Sequence, residues 1–523
     1  MSVPTMRLTV AELLAGLTTA GPDDLHTEYR RLVGALWHDG EPTDEAAAAV
    51  PALVAYLDEA GDDRRGYVII LLALLAESEY PAVDGEVATA VRGGLDRYLD
   101  LVGDAVAGRP LTLALLYLLS HFPGDRDRIL DAVEHLELDP DDLSRLDRAL
   151  STLDLDAPDL GTLWPSPSVW VLTDDEREFH EQWIQTLTPG QITTNWENDT
   201  RTLLGYSGAK AYWAVRFGAP VVAGEAAWSA DAAWPAATYA APAAGAGTGI
   251  FARHAEAFRC PSCGDSLDFE GDIVRCGACS TRYPIARGIL DLSEGVSESA
   301  ADVEDDATAN LLSKLAEMPT MGIYYESVLR PAFLRIAGAN WGGAVTLADE
   351  DAYMVRHISP VDGPVLDLAA GAGRWTRVVA GTVGHDRLIA LDMGLPMLTV
   401  LRDTLPEVPA VRASALDLPF DDASLGAVNC WNALHAFPDD AARAIAEVGR
   451  VLRPGGTFTM MTFLFDSDPI VRYFQTSHYF PSRVEGMLLF EMDEIRRWLA
   501  DAGMTVRDAS GPGSFAFITA VRT

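Results

Sequence analysis

The chain contains 523 residues, 49% of them hydrophobic, and carries a formal net charge of −38 at pH 7. This length predicts roughly three to four domains, each with its own hydrophobic core. A negative field of this strength disfavours nucleic acid and anionic membrane surfaces as partners.

The cysteines and the apolar runs indicate a cytoplasmic protein without a membrane span. Four of the five cysteines form two close pairs and Cys430 stands alone, a pattern that fits a reducing compartment rather than a disulfide framework. The start of the chain lacks the basic, then apolar, then small-residue order of a signal peptide. The longest apolar runs, 67–76 and 111–119, are shorter than the about 20 residues that a transmembrane helix needs.

Residues 1–158 are predicted to form a helical region. Apolar residues recur there at spacings of three and four, and Gly, Pro and Asp clusters such as 60–63 interrupt the pattern. Stretch 36–57 resembles repeats of the HEAT type, whose paired helices stack into a solenoid. A solenoid would offer a surface to a protein partner, and an unrelated helical bundle is the alternative interpretation.

Residues 159–250 combine an aromatic-rich part with a segment, 219–249, that is rich in Ala, Pro and Gly and has almost no charge. The second segment has the composition of a linker. The first predicts a packed region, and its aromatic residues are Trp164, Trp170, Trp183, Trp196, Tyr206, Tyr212 and Trp213. An ordinary core is the simpler interpretation of these side chains, and an aromatic substrate pocket is the alternative.

Residues 251–295 contain four cysteines with the spacing of a zinc ribbon: Cys260, Cys263, Cys276 and Cys279. Two tight turns present four thiolates tetrahedrally to Zn²⁺, and a site closed by four ligands is structural rather than catalytic. A redox pair or an iron–sulfur site is the competing interpretation. Residues 283–292, Tyr-Pro-Ile-Ala-Arg-Gly-Ile-Leu-Asp-Leu, resemble the end of the small zinc-ribbon activator of tRNA- and protein-methylating enzymes.

Residues 305–523 alternate strand-like and helical apolar runs, which predicts an α/β domain with a doubly wound parallel sheet. The apolar stretch from Val365 runs into a turn with Gly371 and Gly373, where backbone amides approach a ligand without an intervening Cβ. Asp392 ends the next apolar stretch, where it can accept hydrogen bonds from ribose hydroxyls. These features alone fit a dinucleotide as well as a methyl donor.

Three further motifs distinguish between these ligands. They are Asp-Leu-Pro-Phe-Asp-Asp-Ala-Ser-Leu at 417–425, Ala-Val-Asn-Cys-Trp-Asn at 427–432 and Glu-Val-Gly-Arg-Val-Leu-Arg-Pro-Gly-Gly at 447–456. In this order after the glycine turn, they resemble the class I S-adenosylmethionine-dependent methyltransferases, close to the branch of ubiquinone and menaquinone biosynthesis. The resemblance implies a Rossmann-like fold, S-adenosylmethionine as the cofactor and an enzyme that transfers methyl groups.

The same resemblance implies the donor-binding residues. Asp367 would orient the glycine turn or meet the methionine amine, Asp392 would hold the ribose, and Met393 would pack on the adenine. Two positions depart from the family, since Ala369 replaces its first glycine and Ser414 replaces an acid that contacts the adenine amine. The full expected set is Asp367, Ala369, Gly371, Gly373, Asp392, Met393, Ser414, Ala415, Leu416 and Asn432, with Asp417 as a substitute adenine contact.

Methyl transfer from a sulfonium needs orientation and, for some acceptors, a general base. His435, just past the predicted strand 427–432, is the candidate catalytic base, and a hydrogen-bonded histidine that lines the pocket is the alternative. Three residues before the sheet resemble the lid helix of these enzymes, with plain packing as the alternative: Tyr324, Tyr325 and Arg330. Segment 466–489 is expected to recognise a partly apolar acceptor through Tyr473, Phe474, His478 and Tyr479.

These features together predict methyl transfer to a small molecule, such as an aromatic or secondary metabolite. A protein or RNA acceptor gripped by the helical region and the ribbon is the alternative, but the chain has Lys210 and Lys314 as its only lysines. No basic run therefore supports RNA. A binding protein that keeps the donor fold without catalysis is a third interpretation, and the intact Gly371, Gly373 and Asp392 argue against it.

Overall fold

The computed structural model describes residues 8–158, 184–219, 247–270, 273–293, 345–437, 440–477, 489–511 and 513–523, together with positions 160, 178, 181, 182, 330 and 334. Most of the predicted linker lies outside the described residues. So do several residues that the sequence singled out, namely Trp164, Trp170, Trp183, Tyr324, Tyr325, His478 and Tyr479.

The first region is helical, as predicted. Its helices are α1 (Val10–Thr19), α2 (Leu25–Leu36), α3 (Ala46–Glu59), α4 (Asp62–Glu77), α5 (Glu86–Arg92), α6 (Leu95–Gly103), α7 (Pro110–Leu119), α8 (Arg126–Val133) and α9 (Pro140–Leu150). A short hairpin of β1 (Trp37–His38) and β2 (Glu41–Pro42) separates α2 from α3.

Helices α4 and α7 form the centre of this helical region. They contain the two longest apolar runs, and because they are hydrophobic on nearly all sides they are buried by their neighbours. Among the described residues, no helix has both the length and the apolar content to cross a membrane. The stacking of these helices as a HEAT-like solenoid stays a prediction.

A long helix, α10 (Pro189–Phe217), packs against α4, α7 and α9. It begins with a capping box in which Thr188 and Gln191 each accept a hydrogen bond from the other's backbone amide. Tyr206 and Tyr212 on this helix are fully buried, which agrees with the interpretation of these aromatics as core.

The cysteine-containing region is small and built from short strands. After the turn of helix α11 (Gly249–Ala252), three strands form an antiparallel sheet: β3 (Leu267–Asp268), β4 (Val274–Cys276) and β5 (Arg282–Tyr283). A hairpin of β6 (Ile285–Ala286) and β7 (Ile289–Asp291) follows. Arg287 and Gly288 at its tip have φ of +51° and +74°, as a two-residue type I′ turn requires.

The C-terminal region is an α/β domain with helices packed on its sheet. Its elements in chain order are α12 (Leu347–His357), β8 (Val365–Leu368), α13 (Arg374–Val383), β9 (Leu388–Asp392), α14 (Leu395–Thr404), β10 (Ala410–Arg412), β11 (Leu425–Trp431), α15 (Ala441–Val451), β12 (Leu452–Phe463), α16 (Pro469–Thr476), α17 (Met492–Asp501), β13 (Met504–Ser510) and β14 (Phe515–Arg522).

The large sheet has the strand order β13-β14-β12-β11-β8-β9-β10-β7-β6. Strands β8 to β12 run parallel, as predicted, while β13 and β14 add an antiparallel edge that the sequence did not reveal. Because the parallel strands share one direction, their carboxyl ends meet at a single edge of the sheet. Ligands of open α/β sheets bind at this edge.

The end of the cysteine-containing region belongs to the same sheet. Strand β7 pairs in parallel with β10, with Leu290 opposite Val411. A second connection lies in the loop after β10, where the Arg259 amide donates to the Pro419 carbonyl at 3.0 Å. The ring of Phe258 packs against that of Phe420 beside it, with 5.0 Å between centroids. The four-cysteine region is thus attached directly to the loop that follows β10.

Candidate functional site

The turn after β8 adopts the left-handed backbone that favours glycine. Ala369, Gly371 and Gly373 have φ of +57°, +54° and +98°. A Cβ at Gly371 would meet no atom within 4 Å, so the turn is open at this point, whereas a Cβ at Gly373 would press on Leu401 at 3.1 Å. Ala369 has the same handedness with a Cβ present, which strains the backbone by roughly 1–2 kcal/mol.

Asp392, the last residue of β9, connects this turn to the next loop. Its Oδ2 accepts a hydrogen bond from the Gly371 amide at 2.9 Å, and its Oδ1 accepts one from the Gly394 amide at 2.7 Å. Burial raises the pKa of this carboxyl group, although both hydrogen bonds act in the opposite direction. Each carboxylate oxygen keeps a further lone pair, so Asp392 can also accept hydrogen bonds from ribose hydroxyls.

Asp367 lies beneath the glycine turn and is 2% exposed. Its Oδ1 accepts from Asn429 Nδ2 at 2.7 Å, and its Oδ2 accepts from Thr376 Oγ1 at 2.5 Å. Burial raises the pKa of Asp367 to about 6, with the two hydrogen bonds acting against it. Because both oxygens hold neighbouring elements, the geometry supports the orienting role over direct contact with a methionine amine.

The remaining expected donor residues follow the carboxyl ends of β9, β10 and β11. Met393 comes directly after β9, and Ala415 is buried in the loop after β10. In the same loop Ser414 Oγ accepts from the Leu416 amide at 3.1 Å and so shapes the backbone. Asn432 follows β11 with φ of +56°, a further left-handed residue at the carboxyl end of a strand. The structure therefore brings the expected set to one edge of the sheet.

Asp417 is directed elsewhere. Its carboxylate is 53% exposed and pairs with Arg259 at 2.9 Å. Arg259 directly precedes the cysteine ligand candidate Cys260 and also lies 3.9 Å from Glu447. The ion pair with Arg259 favours a connection between Asp417 and the four-cysteine region over the expected adenine contact.

His435 is buried just past β11, with its ring edge-on to Phe463 at 4.9 Å between centroids. Burial and the positive charge of Arg330 lower the pKa of His435 to about 3, so the imidazole is neutral at physiological pH. A general base works best when its pKa lies near the operating pH. The environment of His435 therefore favours the pocket-lining alternative over the role of catalytic base.

A buried ion pair stands beside the end of β11. Arg330 binds Glu350 of α12, and both side chains are excluded from solvent. Trp431 Nε1 donates to the same Glu350 oxygen at 2.9 Å, and the Arg330 guanidinium lies 5.4 Å from the ring centroid of Trp375. The sequence pointed to Arg330 but missed Glu350, because an acidic residue on an amphipathic helix gives no local sign of burial.

Two aromatic residues expected to recognise the acceptor have other neighbours. Tyr473 of α16 stands edge-on to Trp37 at 5.0 Å between centroids, and Phe474 does the same to Tyr117 at 5.7 Å. Both partners belong to the helical region. Tyr473 and Phe474 thus pack between two regions of the chain, and the contacts do not support their expected role in acceptor recognition.

The four paired cysteines come together as the spacing predicts. Their sulfur atoms lie within 4.8 Å of one another, with Cys260 and Cys279 3.6 Å apart and Cys263 and Cys276 3.4 Å apart. Four thiolates bound to zinc at about 2.3 Å would be separated by about 3.8 Å in a regular tetrahedron. The hydroxyl of Tyr283 lies 3.0 Å from the Cys260 sulfur, where it can stabilise a thiolate. The donor set fits a closed zinc site.

Residues 365–456 match the protein family described as "Methyltransferase domain". An uncharacterized chloroplastic methyltransferase of Arabidopsis thaliana is 29% identical over 291 residues, which cover 51% of this chain and 78% of that protein. A second Arabidopsis thaliana relative is also 29% identical, over 40% of this chain and 61% of that protein, so the chain spans less than two thirds of its length. The demethylmenaquinone methyltransferase of Clavibacter sepedonicus is 37% identical over 22% of this chain and 48% of that protein.

A solved complex of the Haloferax volcanii Trm112 methyltransferase activator with a methyltransferase is similar over 33% of this chain and 88% of that chain, at 20% identity and a TM-score of 0.29. The family match covers the strand, glycine turn and Asp392 described above. Residues 365–456 are thus a methyltransferase domain, and the relatives support S-adenosylmethionine-dependent methyl transfer by this part of the chain.

Proposed function

We propose that the chain methylates a small-molecule acceptor at the carboxyl edge of its large sheet, and that its four paired cysteines hold a structural zinc ion. The assignment of the donor site rests mainly on one observation, the hydrogen bond that the Gly371 amide donates to the Asp392 carboxylate. S-Adenosylmethionine supplies a methyl group already activated by its sulfonium. The protein then has to bind and orient the two reactants.

The residues at the glycine turn suit a cationic nucleotide. Gly371 leaves space above the backbone, and Asp392 offers its free lone pairs to the ribose. Asp367 adds a second buried carboxyl group below the turn. A positively charged ligand placed here would favour the ionised form of both acids, since an opposite charge lowers the pKa of a carboxyl group.

Buried aromatic rings lie at the carboxyl ends of β11 and β12, where we place the acceptor, beside the Arg330–Glu350 ion pair. Phe463, at the end of β12, contacts both His435 and Phe515, with 5.2 Å between the Phe463 and Phe515 centroids. Trp431 lies at the end of the neighbouring strand. These side chains favour a small and partly apolar acceptor, and the net charge of −38 disfavours RNA. The similarity to a demethylmenaquinone methyltransferase supports the quinone-biosynthesis branch.

Zinc would stabilise the part of the chain that supports the loop after β10. Arg259 hydrogen-bonds through its backbone to Pro419 and through its side chain to Asp417. Its neighbour Cys260 is a metal ligand in this proposal. Because metal binding in such ribbons is coupled to folding, zinc would order the support beneath Ser414 and Leu416.

Donor binding is tested by calorimetry with S-adenosylmethionine on Asp392→Ala and on the matched control Asp403→Ala, whose side chain is exposed on α14. Loss of charged hydrogen bonds worth about 1.5–3 kcal/mol each predicts at least about tenfold weaker binding for Asp392→Ala. The control should bind as the wild type does. Equal affinity in all three proteins would contradict the ribose assignment.

The acceptor class is tested with methyl-labelled S-adenosylmethionine and an extract of the source cells. The proposal expects the label in a product that passes a small-pore filter and separates from S-adenosylmethionine by chromatography, and the extract with labelled S-adenosylmethionine but without the protein serves as the blank. Label that stays with protein or RNA would overturn the small-molecule assignment and support a macromolecular acceptor.

A further inference from the structure

We propose that the N-terminal helical region helps to form the acceptor site. Through the positioning residues Glu77 and Asp468, it holds helix α16 at the carboxyl end of β12. The location of the acceptor in this inference rests on the proposed function. The helical region then has a catalytic purpose within this chain, beyond offering a surface to partners.

Asp468 connects α16 to α10 and, through His26, to the helical region of residues 1–158. Its side chain is 3% exposed, and its Oδ2 accepts from Tyr212 at 2.8 Å and from Arg216 at 3.2 Å, with His26 Nε2 at 3.1 Å. Its Oδ1 accepts from the Ile470 amide at 3.0 Å and caps α16. Burial alone would raise the pKa of Asp468, but these donors hold it below the usual value. A carboxylate from the C-terminal domain is thus held by Tyr212 and Arg216 of α10 and by His26 of the helical region.

Glu77 makes the reciprocal connection. It lies at the buried end of α4 and accepts a hydrogen bond from Tyr473 of α16 at 2.9 Å. Tyr117 donates to its other oxygen, and His121 Nε2 lies 3.3 Å from that oxygen. Each of the two carboxylates is therefore buried and takes some of its hydrogen-bond donors from the other side of the contact. Separation of α16 would take Tyr473 from Glu77 and three side-chain partners from Asp468, and the loss of partners is strongly unfavourable for a buried charge.

Helix α16 also rests directly on the backbone of α10. A Cβ at Gly208 would overlap the rings of Phe474 and Tyr117, and a Cβ at Gly205 would lie 3.0 Å from the Cβ of Ser477. Such close approach is possible only because these positions of α10 lack side chains. The position of α16 is therefore fixed by close packing as well as by charge.

The position of α16 is transmitted to the acceptor wall through the end of β12. Gln475 Nε2 donates to the Leu464 carbonyl at 3.2 Å and to Ser514 of the β14 side. Leu464 directly follows Phe463, whose ring contacts His435. A continuous set of contacts thus runs from α4 and α10 through α16 to the ring of His435. The donor residues Gly371 and Asp392 lie in the turn after β8 and at the end of β9, outside this set of contacts, so donor binding should be independent of it.

The test compares Gly208→Ala with Gly190→Ala, a residue of the same helix whose Cβ would meet nothing within 4 Å. Hydrogen exchange of amides 464–477 and of the imidazole C2 hydrogen of His435 is followed by mass spectrometry over a range of pH. In Gly208→Ala we expect about tenfold faster amide exchange and a His435 titration midpoint that rises toward the usual value of about 6.5. Gly190→Ala should match the wild type in both measurements.

Calorimetry with S-adenosylhomocysteine separates this inference from the proposed function. We expect Gly208→Ala to bind that ligand within about twofold of the wild type. If the wild type itself fails to bind, the proposed function is wrong. If Gly208→Ala binds normally while His435 and the amides exchange as in the wild type, the inference is overturned. Should Gly208→Ala not fold, Tyr473→Phe decides in its place, because it removes only the hydroxyl that reaches Glu77.

Discussion

Replacement of Asp367 by asparagine isolates the effect of a buried charge at nearly constant shape. The Asp367→Asn amide can still accept from Thr376, and it can donate to Asn429 Oδ1 once the Asn429 amide group turns over, because Asn429 Nδ2 faces position 367 in the wild type and Oδ1 has no hydrogen-bond partner among the described residues. The hydrogen-bond geometry beneath the glycine turn is therefore preserved. The change removes the ionisation of the side chain.

The size of the effect on stability follows from the pKa of Asp367, which burial raises from 3.8 to about 6. Each tenfold change in the dissociation constant corresponds to about 1.4 kcal/mol, so ionisation of Asp367 in the folded domain costs about 3 kcal/mol at neutral pH. The folded carboxyl group keeps its proton up to about pH 6, while the unfolded chain releases it near 3.8. Stability from this group is thus present at low pH and is lost as the pH rises through this window.

The assay is hydrogen exchange of amides 366–368 in β8, which reports the opening of the domain without a two-state assumption for the whole chain. As the pH rises from 4.5 to 7, and after correction for intrinsic exchange, the free energy of opening of Asp367→Asn should rise by about 2 kcal/mol relative to that of the wild type. The exposed Asp403→Asn is the control. If the ratio of the wild-type exchange rate to the variant exchange rate stays constant across this pH range, the pKa of Asp367 is not raised.

Three further outcomes are expected. Ala369→Gly should raise stability by about 1 kcal/mol in thermal unfolding, because it removes the Cβ from a left-handed backbone, and an unchanged or lower Tm would argue against strain at this turn. Gly426→Ala would push a Cβ into the Val361 carbonyl and should destabilise by about 1–3 kcal/mol, whereas Gly381→Ala, with open space around it, should not. Metal analysis should find one zinc per chain in the wild type and none in Cys276→Ser, and zinc retained by the variant would exclude Cys276 as a ligand.

The features predicted well from the sequence are those encoded locally. The strand from Val365, the helix that begins at Arg374 and the strand that ends at Asp392 all occur where the pattern placed them. In each, a short apolar run is bounded by glycine or an acid, and the backbone conformation follows from those few residues. The four paired cysteines also converge, because their spacing within one short segment leaves little freedom.

The features missed depend on contacts between distant parts of the chain. Tyr473 and Phe474 have the composition of a binding element, and only the position of the helical region shows that they pack against it. The sequence around Asp417 suggested a ligand contact, but its carboxylate accepts a hydrogen bond from Arg259, which lies 158 residues earlier in the chain. Local sequence carries no information about such partners, since an exposed and a paired carboxylate look alike in a pattern.

The pairing of β7 with β10 has a practical consequence for dissection of the protein. Without residues 289–291, β10 would present an unpaired row of amides and carbonyls at the rim of the sheet, a template for self-association. With the hairpin in place, the rim ends in β6, which has only two residues and offers little to a second molecule. A catalytic fragment that starts at 305, where composition alone would cut the chain, should therefore aggregate more readily than one that starts at 251, since both lack the helices that cover α16 and only the first also exposes β10.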